Sequence, residues 1–121
     1  MIFHTKPVPK PRMTRSDKWK KRDCVVDYYS FKDEIELQAR LENFELPDAF
    51  RVVFAIPFPR SYGRAKREGL LGQPHQIKPD IDNYLKALMD CLKTNDSSIW
   101  HIDAQKIWTD GGGFIEVEEL E

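Results

Sequence analysis

Apolar side chains recur along this chain in two rhythms, one helical and one extended. The clearest helical run is Ile81, Tyr84, Leu85, Leu88, Met89 and Leu92, spaced i, i+3, i+4, i+7, i+8 and i+11. Pro79 stands where a helix can begin, Asp80 or Asp82 can cap it, and acids in a first turn suit the helix dipole. An earlier helix is predicted over Asp27–Glu42. Tyr28, Phe31, Ile35, Gln38 and Ala39 form its packing face, Leu37, Leu41 and Phe44 widen it, and Leu46-Pro47-Asp48 ends it.

The extended segments carry different chemistry. Arg51–Phe58 is β-branched and aromatic and is closed by Pro57 and Pro59, which predicts a buried strand. Ile99–Trp108 alternates imperfectly and reads as a strand, Thr109–Gly113 as a hairpin turn, and Phe114–Leu120 as the returning strand. Residues 1–12 have a short apolar start, after which Pro7, Pro9 and Pro11 forbid a helix and favour an extended edge segment. Residues 60–78 form a long loop with one helical turn over Ala65–Leu71, and Thr94–Ser98 is a turn. The order β, α, β, α, β, β predicts an α/β (α+β) fold, a small mixed sheet with two main helices packed against it. A chain of 121 residues suits a single domain, residues 1–121, with one modest core.

Charge changes the picture more by its distribution than by its sum, which is −1. Lys6, Lys10, Arg12, Arg15, Lys18, Lys20, Lys21 and Arg22 face only Asp17 within residues 6–22. A second basic stretch holds Arg60, Arg64, Lys66, Arg67 and Lys78 against Glu68, whereas the chain ends on Glu116, Glu118, Glu119 and Glu121. Such segregation is expected of a surface that meets a polyanion. The candidate nucleic-acid contacts are Lys10, Arg12, Arg15, Lys18, Lys20, Arg64, Lys66, Arg67 and Lys78. Trp19 can stack on a base within the first tract, or pack down on the domain. No run reaches membrane-spanning length and the start lacks a signal-peptide core, so a cytoplasmic protein is expected. Cys24 and Cys91 read as free thiols without zinc-ligand spacing, and His75, alone in a loop, as neither ligand nor catalyst.

The candidate chemistry lies on the later helix. Asp80 and Asp82 crowd its start, where two carboxylates repel unless a cation stands between them. Lys86 is four residues from both Asp82 and Asp90; Asp90 reads as its structural partner. The segment Lys78-Pro79-Asp80-Ile81-Asp82-Asn83-Tyr84-Leu85-Lys86-Ala87-Leu88-Met89-Asp90 resembles the characteristic stretch of the RusA family of Holliday junction resolvases. That stretch has an Asp-x-Asp-Asn-x-x-Lys core on a helix, followed by an Asp-Asp-Ser-like turn. Asp80, Asp82, Asn83 and Lys86 match the core, and Asn95-Asp96-Ser97 the turn, with Asn95 in place of an acid. The similarity extends to Pro9-Lys10-Pro11-Arg12-Met13-Thr14-Arg15.

The resemblance implies a structure-selective DNA endonuclease that resolves four-way junctions in recombination and repair. It also implies a homodimer whose C2 symmetry matches the two cleaved strands. Phosphodiester hydrolysis needs an activated water and charge stabilisation, which Mg2+ held by carboxylates supplies, with Mn2+ able to substitute. Asp80, Asp82 and Asp96 are the expected metal ligands. Lys86 joins them as a catalytic cation, with Asn83 and Asn95 hydrogen-bonding around the ligands. Asp103, in Asp103-Ala104-Gln105-Lys106, reads as a strand residue. The alternatives are a DNA-binding protein without chemistry, and a nuclease of other branched or single-stranded nucleic acids.

Overall fold

Two helices lie against one face of a four-stranded mixed sheet, the α+β arrangement that the hydrophobic pattern predicts. The elements are β1 (Ile2–Phe3), α1 (Asp23–Leu41), β2 (Ala49–Pro57), α2 (Arg64–Leu70), α3 (Ile81–Leu92), β3 (His101–Thr109) and β4 (Phe114–Glu119). The computed structural model describes residues 1–11, 23–92 and 96–121, with Asp96 described by its backbone alone. Arg12, Arg15, Lys18, Trp19, Lys20 and Asn95 therefore lie outside the described residues, as does the Asp96 side chain.

β2 is the axis of the sheet. Successive side chains of a strand alternate between its faces, and Phe50, Val52, Phe54 and Ile56 all turn inward and are buried. β3 runs parallel to β2 in continuous register, from Ala49 opposite His101 to Pro57 opposite Thr109. β4 lies antiparallel on the other side of β2, and β1 pairs with β4, which gives the order β1-β4-β2-β3.

This order corrects the hairpin expected at Thr109–Gly113. β4 does not pair with β3; the chain crosses the end of β2 and returns on its far side. The crossing is tight. Gly113 has φ +85°, and a Cβ there would stand 2.8 Å from the Ala55 carbonyl oxygen, so only glycine fits. A glycine-rich turn encodes reversal but not which strand the returning chain will meet.

α1 begins four residues before the predicted start, adding Asp23 to Val26, and buries Val25, Tyr28, Phe31, Ile35 and Ala39. Leu37 and Leu41, expected to widen that face, are exposed. Asn43 (φ 51°) ends the helix in the left-handed conformation, and the Phe44 N–H donates to the Ala39 carbonyl at 2.8 Å. α3 buries Tyr84, Ala87, Leu88 and Cys91, so the buried stripe keeps Tyr84 and Leu88 of the predicted one but is turned toward Ala87 and Cys91, leaving Leu85, Met89 and Leu92 partly buried. The helices and the inner sheet face enclose Phe3, Ile35, Phe50, Phe54, Leu88, Ile115 and Val117, each essentially fully buried. Burying one such side chain stabilises the fold by about 1.5–3 kcal/mol. Among the described residues no helix is long and apolar enough to cross a membrane.

The two cysteines sit in opposite environments. Cys91 is buried in α3, its thiol donates to the Ala87 carbonyl at 3.1 Å, and burial pushes its pKa up to about 12; Cys24 is exposed. The thiolate is the reactive form, so at pH 8 a chromogenic disulfide reagent is expected to titrate Cys24 rapidly and Cys91 only after unfolding in denaturant. Two rapidly reacting thiols in the native protein would contradict the packing of α3.

Candidate active site

The chain enters α3 along a segment that β3 holds in place. The Lys106 ammonium donates to the carbonyl oxygens of Ile77 and Pro79, both at 2.8 Å. The Asn83 N–H then donates to the Asp80 carbonyl at 3.1 Å, closing the turn that leads into the helix. This turn puts Asp80 just before α3 and Asp82 in its first turn, both exposed to solvent. A cis peptide joins Lys78 to Pro79. The proline-rich N-terminal segment lies alongside, with the Lys10 N–H donating to the Asn83 carbonyl at 3.0 Å.

Lys86 stands 3.8 Å from the Asp82 carboxylate, with both side chains more than 60% exposed (64% and 62%). An exposed i, i+4 pair of this kind stabilises a helix by about 0.3–0.5 kcal/mol, so its geometry is not fixed by stability alone. Asp90, expected to partner Lys86, is engaged elsewhere: it forms an ion pair with Lys10 and accepts the Tyr28 hydroxyl at 3.1 Å. Burial first, then the Asp90 charge, pushes the Tyr28 pKa upward. Asp90 thus ties the N-terminal segment and α1 to α3, and the partner expected of Lys86 was the wrong one.

The expected third acid stands elsewhere. Asp96 opens a short 3-10 turn, Asp96–Ser98, beyond the C-terminal end of α3. That turn is tethered to the start of β2, where the Ser98 hydroxyl donates to the Asp48 carboxylate at 2.9 Å and the Trp100 N–H to the Asp48 carbonyl at 3.0 Å. α3 has 12 residues; at about 1.5 Å per residue its two ends stand about 16–18 Å apart. Within one chain, then, the fold gathers Asp80, Asp82, Asn83 and Lys86 at one end and puts the backbone of Asp96 near the other. Among the described residues no three His, Cys, Asp or Glu side chains gather at metal-binding distance. Asp103 is a strand residue, as expected, paired with Arg51 at 3.2 Å in the register that aligns β2 with β3.

The basic residues of the second tract surround an aromatic cluster at the C-terminal ends of β2 and β3. Phe58 stacks on Trp108 (centroids 5.5 Å apart, planes at 11°), and Tyr62 lies 5.5 Å from Trp108. Lys66 sits 3.8 Å above the Tyr62 ring, a cation–π contact. Arg67 donates to the carbonyls of Tyr62 and Pro59 at 2.8 and 3.2 Å, and Arg64 pairs with Glu68 at 3.0 Å. Lys78 is exposed beside Pro79. His75, read from the sequence as an ordinary loop histidine, is only 4% exposed and has its ring 4.3 Å from Trp108. Its N–H backbone group donates to the Lys106 carbonyl, so it belongs to the segment that flanks β3. Nothing in the local sequence distinguishes it from an exposed loop histidine.

Asp80 and Asp82 thus share a solvent-facing helix start, with Lys86 one turn further on. A family model for the endodeoxyribonuclease RusA matches residues 4–118. The chain belongs to the RusA family of endodeoxyribonucleases. Membership implies nuclease activity on Holliday junctions, and RusA-type resolvases in general depend on a divalent metal. No individual curated protein matches the chain.

The Lys106 contacts differ in kind from the Lys86 pair, and unfolding in urea separates them. Lys106→Met removes two hydrogen bonds from a charged donor and is expected to cost about 2–3 kcal/mol. Lys86→Ala is expected to cost about 0.5 kcal/mol or less. Equal midpoints for the two variants would show that Lys106 does not anchor the start of α3.

Proposed function

We propose that this chain is a divalent-metal-dependent resolvase of four-way DNA junctions, cutting paired phosphodiesters by hydrolysis during recombination and repair. The observation that carries the reading is the pair Asp80 and Asp82, held at an exposed helix start in a chain of this family. Two carboxylates are hard oxygen donors, and Mg2+ is commonly held by one or two carboxylates together with waters and substrate phosphates. The residues present therefore fit Mg2+, and Mn2+ as a substitute. When bound, the metal supplies an activated water and neutralises charge on the scissile phosphate.

The chain's own groups then take definite roles. Asp80 and Asp82 hold the metal. Lys86, a compact cation one turn into α3, offers its ammonium to a phosphate oxygen. Asn83 hydrogen-bonds around the ligands. Lys10, Lys78, Arg64, Lys66 and Arg67, with Arg12, Arg15, Lys18 and Lys20 of the first tract, meet DNA phosphates. Asp96 stays in the proposed catalytic and metal-binding set, with Asn95 beside it, but its own chain keeps it a helix length from Asp82. A C2 homodimer resolves this, because the third carboxylate can come from a second copy. The same symmetry matches the paired strands of a junction. We place this work in the cytoplasm of a bacterial or phage-infected cell.

The experiment is cleavage of four-way junction, flap, single-stranded and duplex DNA, with Mg2+, with Mn2+ and with chelator. Paired nicks in the junction are expected, lost with chelator and restored by either metal. Binding without cleavage would favour a DNA-binding protein, preference for the flap or single strand a nuclease of other substrates, and cleavage in chelator would sink the metal assignment.

A further inference from the structure

A cavity of about 880 Å³ opens at the C-terminal ends of the parallel strands β2 and β3, between the proline-rich N-terminal segment, α1 and the residues leading into α3. Ligands commonly bind outside the carboxyl ends of parallel strands, and this volume lies within the usual range for small-molecule sites. The lining is dominated by flat apolar groups, with Phe58, Tyr84 and Trp108 set among prolines. His75 lines the cavity too, and among the described residues its buried Nδ1 has no hydrogen-bond partner. Buried polar nitrogens are rarely left unsatisfied in a folded protein, so an orphan in a cavity wall points to a ligand that completes it.

The surroundings narrow the choice of ligand. Ile77, Lys78 and Pro79 form part of the wall, and the next residue is Asp80. An occupant therefore sits directly beside the proposed cleavage site. Asp27 and Glu34 of α1 also line the cavity. Lys6 and Lys78 line it as well, so its charges balance: the carboxylates can accept hydrogen bonds from ring amino groups, the ammonium groups can meet flanking phosphates, and the apolar remainder suits a planar aromatic ring.

We propose that this cavity receives one unstacked nucleobase of the branched DNA, from the strand whose phosphate lies at Asp80 and Asp82, and that the His75 imidazole reads that base's edge. The inference rests on the junction-nuclease reading above. Bases at a branch point cost less to unstack than bases within a duplex. Phe58, half-buried where Tyr84 and Trp108 are only 3% and 4% exposed, offers its ring to the base, as in other sites that hold single bases. Burial, and secondarily the Lys106 charge, lowers the His75 pKa. A neutral imidazole carries one donor and one acceptor, which allows it to discriminate base edges. His75 is thus a specificity residue for the position next to the cleaved bond.

The test uses four-way junctions with randomised sequence around the crossover, read by sequencing the cut ends. Wild-type protein is expected to show a base preference at one position beside the cleaved bond. His75→Phe keeps an aromatic ring but removes both nitrogens, and should reduce that preference about tenfold, the worth of roughly one hydrogen bond. Cutting that is indifferent to base in the wild type, or an unchanged profile in folded His75→Phe, overturns the pocket while leaving the nuclease reading intact. A wild-type protein that cuts no junction overturns both. If His75→Phe fails to fold, Asp82→Asn protein is bound to junctions carrying 5-iodouracil beside the scissile phosphate and irradiated. A cross-link on Phe58, Tyr84 or Trp108 supports the pocket, and cross-links confined to residues outside the cavity overturn it.

Discussion

The site depends on one ammonium group. Lys106 reaches from β3 to the carbonyl oxygens of Ile77 and Pro79 and so fixes where the chain enters α3. Asp80 and Asp82 follow within five residues of Ile77, too few for them to drift independently of that anchor. The anchor in turn rests on β3 lying in full register beside β2, and on α3 burying Tyr84, Ala87, Leu88 and Cys91 against the other helix and the sheet. The two hydrogen bonds from this charged donor together contribute about 2–3 kcal/mol, whereas the exposed Asp82–Lys86 pair contributes a few tenths. The acids are thus positioned by backbone contacts behind them, which leaves their oxygens and the Lys86 ammonium facing solvent.

The elements were legible wherever a rhythm was strong. The 3.6-residue stripe from Ile81 to Leu92 located α3, and with it the shared position of Asp80, Asp82, Asn83 and Lys86. The run from Arg51 to Phe58 located β2, because β-branched and aromatic residues between prolines have few other solutions. Non-local facts were not legible. The Gly111–Gly113 turn announced a reversal, but whether Phe114–Glu119 pairs with β3 or crosses to β2 is decided by side chains far away in sequence. Asp96 follows Asp82 closely enough to suggest one site, yet the intervening twelve-residue helix carries the chain to the opposite end. Asp90 sits at the right spacing for Lys86, and it took the fold to bring Lys10 and Tyr28 to it.

The aromatic group around Trp108 shows the same limit from the other side. Phe58, Tyr62, His75 and Trp108 are spread over some fifty residues, and none belongs to a recognisable motif. They meet because the residues after β2 and the segment flanking β3 converge where the parallel strands end. The basic residues of α2 are partly consumed in holding this cluster, since Arg67 donates to two backbone carbonyls and Lys66 lies over Tyr62. A cation so engaged still offers a positive surface, but its position is set by the fold rather than by the phosphate it meets.

The central claim is that the acids at the start of α3 act on the phosphate and do not merely cap a helix. Asp82→Asn tests it most directly, because the amide keeps the size of the carboxylate and can still cap. In a single-turnover assay on a four-way junction with Mg2+, the account predicts a loss of at least about a hundredfold in cleavage rate, comparable to removing a group that stabilises the transition state. Junction affinity and the urea midpoint should remain at wild-type values. Cleavage within a few-fold of wild type would contradict the account and return Asp82 to an ordinary place in a solvated helix.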